Sequence, residues 1–349
     1  MDLGLLKKLC DTPGLPGAEE PVKEVFVEEL RKHTLEISED YIGNVIAHVG
    51  GKGPKLVLDS HLDEVGFMVK HIDDKGFISV IPLGGIDPRV FYGQRVVVWG
   101  REPMRGVVGA VPPHIAKKEG GGVSSSSVPA VEDCLVDLGL SPEAVKENVQ
   151  VGDVATFDTE LVETPESVIS KSLDNRVALF VILEVLSRKP KLGCDLYVTA
   201  TVQEEVGLRG ARIINAAVNP EFSITLEGTV SNSLPGVPGS KQLAHTLAGP
   251  EIRLADKYIV TNRAFTFFLR DVAERRGIPY QMTAKSMGGT NASALQVTGK
   301  GTRATVVSVP VRYLHSPSSV AFKADIAHTI DLIEGALVEL KKFDSKVIR

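Results

Sequence analysis

Hydrophobic and polar positions alternate between two periods along this chain. Pro21 opens a segment in which Val22, Val25, Phe26 and Leu30 recur at helical spacing. Glu19 and Glu20 sit beside it, where acids and proline suit a helix start. Strand-like pieces follow at Leu35–Ser38, Val45–Val49 and Lys55–Asp59. In the last, Leu56-Val57-Leu58 runs into polar residues, the form of a buried central strand that delivers side chains to a site. From Gly66 to about Val111 the pattern changes. Phe67–Val69, Gly76–Ile81, Arg95–Trp99 and Gly106–Val108 are short strand candidates punctuated by Gly and Pro, with no helical period between them. That predicts a small all-β unit, to which Ala155–Phe157 adds a strand. Residues Lys117 to Ser127 carry three consecutive glycines and the Ser124–Ser127 run, and read as a surface loop.

Strand and helix alternate again from Leu173. Val177–Leu186, Ala211–Ala217, Ile259–Arg276 and Val320–Lys341 read as helices, and Leu196–Val202, Ser223–Leu226 and Thr302–Val309 as strands. The expectation is an α/β domain built from residues 1–66 and 165–349, interrupted by a β-rich unit at 67–164.

Composition narrows the class without changing this picture. The 349 residues are 43% hydrophobic and 24% charged, a globular balance that can support a sizeable core. A formal charge of -5 gives no basic excess, so neither nucleic acid nor an anionic membrane is expected as a partner. Cys10, Cys134 and Cys194 are far apart and odd in number, which favours a reducing compartment over a disulfide framework. The first residues lack a secretory pattern and no apolar run reaches membrane-spanning length, so a cytoplasmic protein is expected.

The candidate chemistry clusters at strand ends. Of eight histidines, His33, His48, His71, His114, His245 and His328 sit in surroundings that ask for no special role. His61 follows the buried-looking strand in Ser60-His61-Leu62-Asp63-Glu64-Val65-Gly66, and Asp63 can accept from its second ring nitrogen while the first binds a metal. Asp174 precedes the long apolar helix, as a helix cap or as a carboxylate shared by two metals. Glu204-Glu205 closes a strand before a Gly-rich loop, where one acid can bind metal and the other act as general base. Glu227 and His315 also follow apolar strands. Ligands of open α/β sheets gather beyond the carboxyl ends of the strands, and two imidazoles with three carboxylates suit a pair of divalent ions. A donor set without thiolate fits zinc, with cobalt or manganese as alternatives.

These segments, in order, resemble the M42 family of metallo-aminopeptidases, the glutamyl-aminopeptidase and tetrahedral-aminopeptidase group. The resemblance rests on Ser60–Gly66, Lys171–Arg176, Val202–Ala211, Gly288-Gly289-Thr290-Asn291-Ala292 and Arg312–Pro317, and spans nearly the whole chain. It implies a zinc-peptidase-like mixed sheet flanked by helices, with an inserted PDZ-like dimerisation domain. It further implies that His61 and Glu227 hold one metal, Glu205 and His315 the second, and that Asp174 bridges them. Glu204 would be the base that takes a proton from a metal-bridging water and passes it to the leaving amine. Asp63 would orient His61. Gly288, Gly289, Thr290 and Asn291, with residues around Gly228–Pro238, would contribute to the substrate pocket. Glu227 and Asn291 stand where the family most often has Asp. Relatives commonly assemble dimers into tetrahedral dodecamers.

The activity expected is removal of N-terminal residues from peptides. An N-acyl amino acid deacylase of the same two-metal type is the alternative. A glycosidase using Glu204 and Glu205 would need two carboxyls about 5–5.5 Å apart across the scissile bond in the retaining case. Adjacent residues at a strand end tend to point apart, and aromatics for sugar platforms make up only 5% of the chain. A non-catalytic scaffold is disfavoured because every liganding position holds a residue able to bind metal.

Overall fold

Four parallel or near-central strands explain most of the architecture. In the computed structural model, which describes residues 1–109 and 130–343, Asp195–Thr201, Lys55–His61, Phe222–Ser231 and Arg303–Arg312 lie side by side and run in one direction. The expected loop at residues 117–127, its serine run and His114 fall outside the described residues. Antiparallel strands extend the sheet on both sides: Val45–Gly51 and Ile37–Glu39 at one edge, Ser319–Phe322, Ser167–Ser170 and Val162–Glu163 at the other. Glu251–Ala255 branches from Arg303–Arg312 and pairs with Gln281–Ala284.

The strand Lys55–His61 shows why the sheet is central. Leu56 and Leu58 face the main core, whereas Val57 packs with Ile214 and Leu295 on the opposite face. Alternate side chains point to opposite faces, so a strand covered on both sides must be apolar throughout. The helix Leu173–Ser187 lies almost wholly inside the main core, with Leu3–Asp11 and Lys323–Glu339 packed on it. The short helices Ala211–Val218 and Asn291–Val297 cover the other face.

Gly66–Ile72, Ile78–Leu83, Leu135–Asp137, Pro103–Gly109, Arg95–Trp99 and Val154–Phe157 close into a separate six-stranded barrel. Closure removes exposed edges, and the barrel has its own core, with Phe67 and Phe91 stacked at 4.2 Å. It also carries the helix Pro142–Asn148, capped by Ser141, which strand patterning did not announce. The chain is back in the large sheet by Val162.

Three elements differ from their sequence reading. The helix expected over Ile259–Arg276 begins at Arg263, because the Asn262 side chain accepts from the Phe265 amide and Val260 bridges to Ala255. The closing helix expected from Val320 starts at Lys323. Ser319–Phe322 is instead a strand, held by ladders to Ser167–Ser170 and Arg303–Arg312. Phe222–Ser231 is ten residues long rather than four, so Glu227 sits within a strand and not at its end.

Among the described residues outside the site, His48 is the most heavily engaged histidine. Its ring stacks on Tyr197 at 4.5 Å, with Nε2 2.7 Å from Asp195 and Nδ1 2.7 Å from Glu36. Hydrogen bonds to Asp195 and Glu36 raise its pKa above the usual imidazole value. A pKa raised by folding stabilises the native state below the unfolded value of about 6.5, and that gain is lost as pH rises through the folded value. His48→Gln should therefore lower the melting temperature at pH 6, with the deficit shrinking by pH 9. A pH-independent deficit in thermal melts would contradict the charged-imidazole account.

Candidate functional site

The site assembles where the parallel strands run out. Thr201 is in register with His61, so His61 ends its strand beside the turn that carries Glu204 and Glu205. Lys55–His61 pairs with Phe222–Ser231 only as far as Thr225. Beyond that point the side-chain amide of Asn175 takes over as the neighbour of Phe222–Ser231. Its Nδ2 donates to the Leu226 carbonyl and its Oδ1 accepts from the Gly228 amide, at 2.8 and 2.9 Å. The same Nδ2 donates to Glu227 Oε2 at 2.8 Å, which fixes that carboxylate.

His61, Asp174, Glu204, Glu205, Glu227 and His315 converge. His61 Nε2 lies 3.3 Å from Asp174 Oδ1 and 3.5 Å from Glu227 Oε2. His315 Nε2 lies 3.2 Å from Asp174 Oδ2 and 3.2 Å from Glu205 Oε1. Asp174 thus turns one oxygen to each histidine. Its side chain caps no helix: Oδ1 has no hydrogen-bond partner and Oδ2 faces His315.

Both histidines are oriented from behind. His61 Nδ1 is 2.9 Å from the Asp63 carbonyl oxygen, and His315 Nδ1 is 2.7 Å from the Gly85 carbonyl oxygen. A carbonyl can only accept, so each Nδ1 carries a proton and each Nε2 faces the site. Gly85 follows the barrel strand Ile78–Leu83, so the inserted unit supports the site directly. The Asp63 carboxylate is 3.5 Å from His61 Nδ1, and it accepts from the Glu204 and Glu205 amides at 3.0 Å each. Its hydrogen bonds therefore clamp the acidic turn, while its backbone carbonyl orients the histidine.

Electrostatics give the cluster its character. Asp63, Asp174, Glu204, Glu205 and Glu227 bring five carboxyls together, and removal from water raises the cost of charging them. Burial pushes Glu204 well above the usual carboxylate range; neighbouring Glu227 and Glu205 add to this, and His61 opposes it. Burial likewise raises Glu205, and pushes Glu227 up to about 7. Asp174 goes the other way. Burial raises it, but His315 and His61 outweigh that and hold it low. The two imidazoles are raised well above their ordinary value: burial lowers them, but the facing carboxylates prevail.

Of the four residues expected at the substrate pocket near the second glycine pair, Gly288, Gly289 and Thr290 line a cavity of about 340 Å³ in front of the cluster. Asn291 is turned away. It is fully buried, and its Nδ2 donates to Asp59 at 3.0 Å and to Thr201 at 2.7 Å. Gly228, Thr229 and Val230 also line the cavity.

Sequence reading missed one group in this wall. Arg253 and Lys285, both buried, share Glu251 at 3.0 and 2.6 Å, and Arg253 also meets Asp256 at 3.0 Å. Both cations donate to Thr229 Oγ1. Arg253 and Lys285 reach the cavity, whereas Glu251 and Asp256 lie behind them. Arg253 lies in a strand and Lys285 directly after another, neither revealed by pattern alone, and residues 32 apart gave no spacing signal.

The chain has full-length relatives among known proteins. The family model for M42 glutamyl aminopeptidase matches residues 43–332. A lysyl aminopeptidase of Pyrococcus furiosus is 33% identical over 99% of both chains. Among solved structures, an aminopeptidase from the archaeon Desulfurococcus kamchatkensis superposes with a TM-score of 0.92 at 33% identity, covering 99% of this chain and 98% of that one. The TET1 peptidase of Pyrococcus horikoshii, which can assemble into a tetrahedron or a large octahedral shell, gives 0.85 at 29% identity, covering 97% and 99%. With a family match over most of its length and full-length relatives at this identity, the chain belongs to the M42 family of aminopeptidases, which are peptide hydrolases.

Proposed function

We propose that this protein is a two-metal aminopeptidase that removes N-terminal residues from peptides, with Glu204 as its general base. The observation that carries the proposal is the spacing of the donors around Asp174. A tetrahedral shell with bonds of about 2.0–2.2 Å has ligand–ligand edges of roughly 3.3–3.6 Å. The histidine–carboxylate separations are 3.2–3.5 Å. Asp174 Oδ1 and Glu227 Oε1 are buried without a hydrogen-bond partner, as oxygens reserved for a cation would be. The residues therefore fit the group: His61, Asp174 and Glu227 would hold one ion, and Asp174, Glu205 and His315 the other. Zinc suits this donor set best, with cobalt or manganese as alternatives. When bound, such ions polarise the scissile carbonyl and lower the pKa of water.

The chain's own contribution is proton transfer and placement. Glu204 takes the proton of the attacking water at its carboxylate and delivers it to the leaving amine. Asp63 holds the backbone of Glu204 and Glu205 in one orientation, which keeps base and ligand in fixed relation. The cavity in front of the cluster receives the first residue. Lys285, in the wall of this cavity, has three donors for two partners, Glu251 and Thr229. That spare donor capacity favours a first side chain ending in an acceptor. By likeness to the Pyrococcus horikoshii assembly we also assign a homo-oligomer, built on the barrel as dimerisation unit; light scattering distinguishes dimer from dodecamer.

The primary experiment strips the protein with a chelator, restores zinc or cobalt, and assays aminoacyl amides against N-acetylated amino acids. Metal-dependent release from free amines supports the aminopeptidase; cleavage of the acylated series alone shifts the function to a deacylase, and activity indifferent to chelation removes both. Glu204→Gln should lower kcat by about 10²–10⁴-fold with metal content retained, read by steady-state kinetics and elemental analysis. Asn175→Ala frees Glu227, and metal affinity should fall about 10–100-fold in a competition titration. Lys285→Met should erase a preference for glutamyl over leucyl amide, measured as the ratio of kcat/KM.

A further inference from the structure

A second cavity, of about 700 Å³, opens on the other side of Glu204. Glu204, Glu205 and Gly289 belong to the walls of both cavities. The partition between them is built closely. A Cβ added at Gly289 would stand 2.5 Å from Cδ2 of Tyr258, so the Tyr258 ring rests directly against the Gly289 backbone.

The two spaces differ in kind. The smaller one ends on the buried side chains of Arg253 and Lys285, which stop a chain from continuing. The larger one has Leu208, Tyr258, Ala294 and Val297 in its wall, with Tyr258 61% and Val297 74% exposed. Only a wall that reaches solvent lets a peptide run outward from the scissile bond. Apolar side chains left exposed at a catalytic cleft gain from being covered by substrate.

We propose that this second cavity binds the residue following the scissile bond and selects an apolar side chain there. The inference rests on the aminopeptidase reading. Charge supports the choice. Glu204 and Glu205 in the wall disfavour an acidic second residue, and Arg212 in the same wall disfavours a basic one. An aliphatic or aromatic side chain meets neither penalty and covers Tyr258 and Val297. The base Glu204, standing between the two spaces, then faces the bond that joins their occupants.

The test uses the full-length protein restored with zinc or cobalt. Its substrates are dipeptides that share the best first residue from the amide panel and carry Leu, Phe, Gly, Glu or Lys second. The expected result is a kcat/KM at least about tenfold higher for Leu or Phe than for Gly, in line with discrimination by apolar pockets, with Glu and Lys no better than Gly. Val297→Asn and Tyr258→Ala, both at exposed positions, should each compress the Leu-to-Gly ratio several-fold, and Val297→Asn, away from the partition, should keep the first-residue ranking on amides. A flat second-residue profile in an enzyme that cleaves the amides overturns the inference and leaves the aminopeptidase standing. A change in first-residue ranking in the Val297 variant overturns the assignment of the two cavities. Failure on every amide and dipeptide removes the aminopeptidase reading, and this inference with it.

Discussion

Concentrating five carboxyls in a desolvated cleft is the constraint around which this molecule is organised. In water such a group would separate or protonate. Here the acids are pinned by backbone amides, by the Asn175 side chain and by two imidazoles whose second nitrogens are anchored on carbonyl oxygens. Burial raises Glu204, Glu205 and Glu227, and Asp174 is held low by facing both histidines. Charge of this sign and density calls for cations, and the donor separations match what small divalent ions require.

Holding that arrangement takes both units of the fold. The large sheet brings His61, the Glu204-Glu205 turn and Glu227 to one edge, because parallel neighbours present the same end to the same side. The barrel then reaches back through Gly84 and Gly85. Gly84 has a φ of +85°, and a Cβ there would come within 2.7 Å of Val65 and 3.2 Å of Glu205, so the loop can pass this close only as glycine. Where the polypeptide crosses from sheet to barrel, Glu64 is buried and paired with Lys171 and Arg176. That ion cluster ties the crossing to the start of the helix that follows Asp174. The cavities on either side of Glu204 follow from the same arrangement, one ending on buried cations and the other opening between exposed apolar side chains.

Much of the candidate cluster was legible in the chain itself. His61, Asp174, Glu204, Glu205 and His315 are polar residues placed where apolar runs stop, and their convergence follows from strand direction. The alternating faces of Leu56, Val57 and Leu58 were enough to mark a central strand. Glu227 was legible as a candidate ligand but misplaced, because its strand continues through Ser231 on pairing with Arg303–Arg312. Asn291 was read as facing substrate, yet it turns to Asp59, a residue whose burial pushes its carboxyl up to about 7 and which needs donors around it.

What the sequence determined by itself was the kind of residue available at each strand end and the periodicity of the segments between. Tertiary structure decided everything that depends on a partner distant in the chain: that Ser319–Phe322 pairs as a strand, that Lys285 joins Glu251 and Arg253 at the wall of one cavity, and that Tyr258 lies on Gly289. The physical reason is that a local period reports which face of an element is apolar. Ladder pairing and charge pairing depend instead on which neighbour the fold supplies, and here those neighbours are tens to hundreds of residues away.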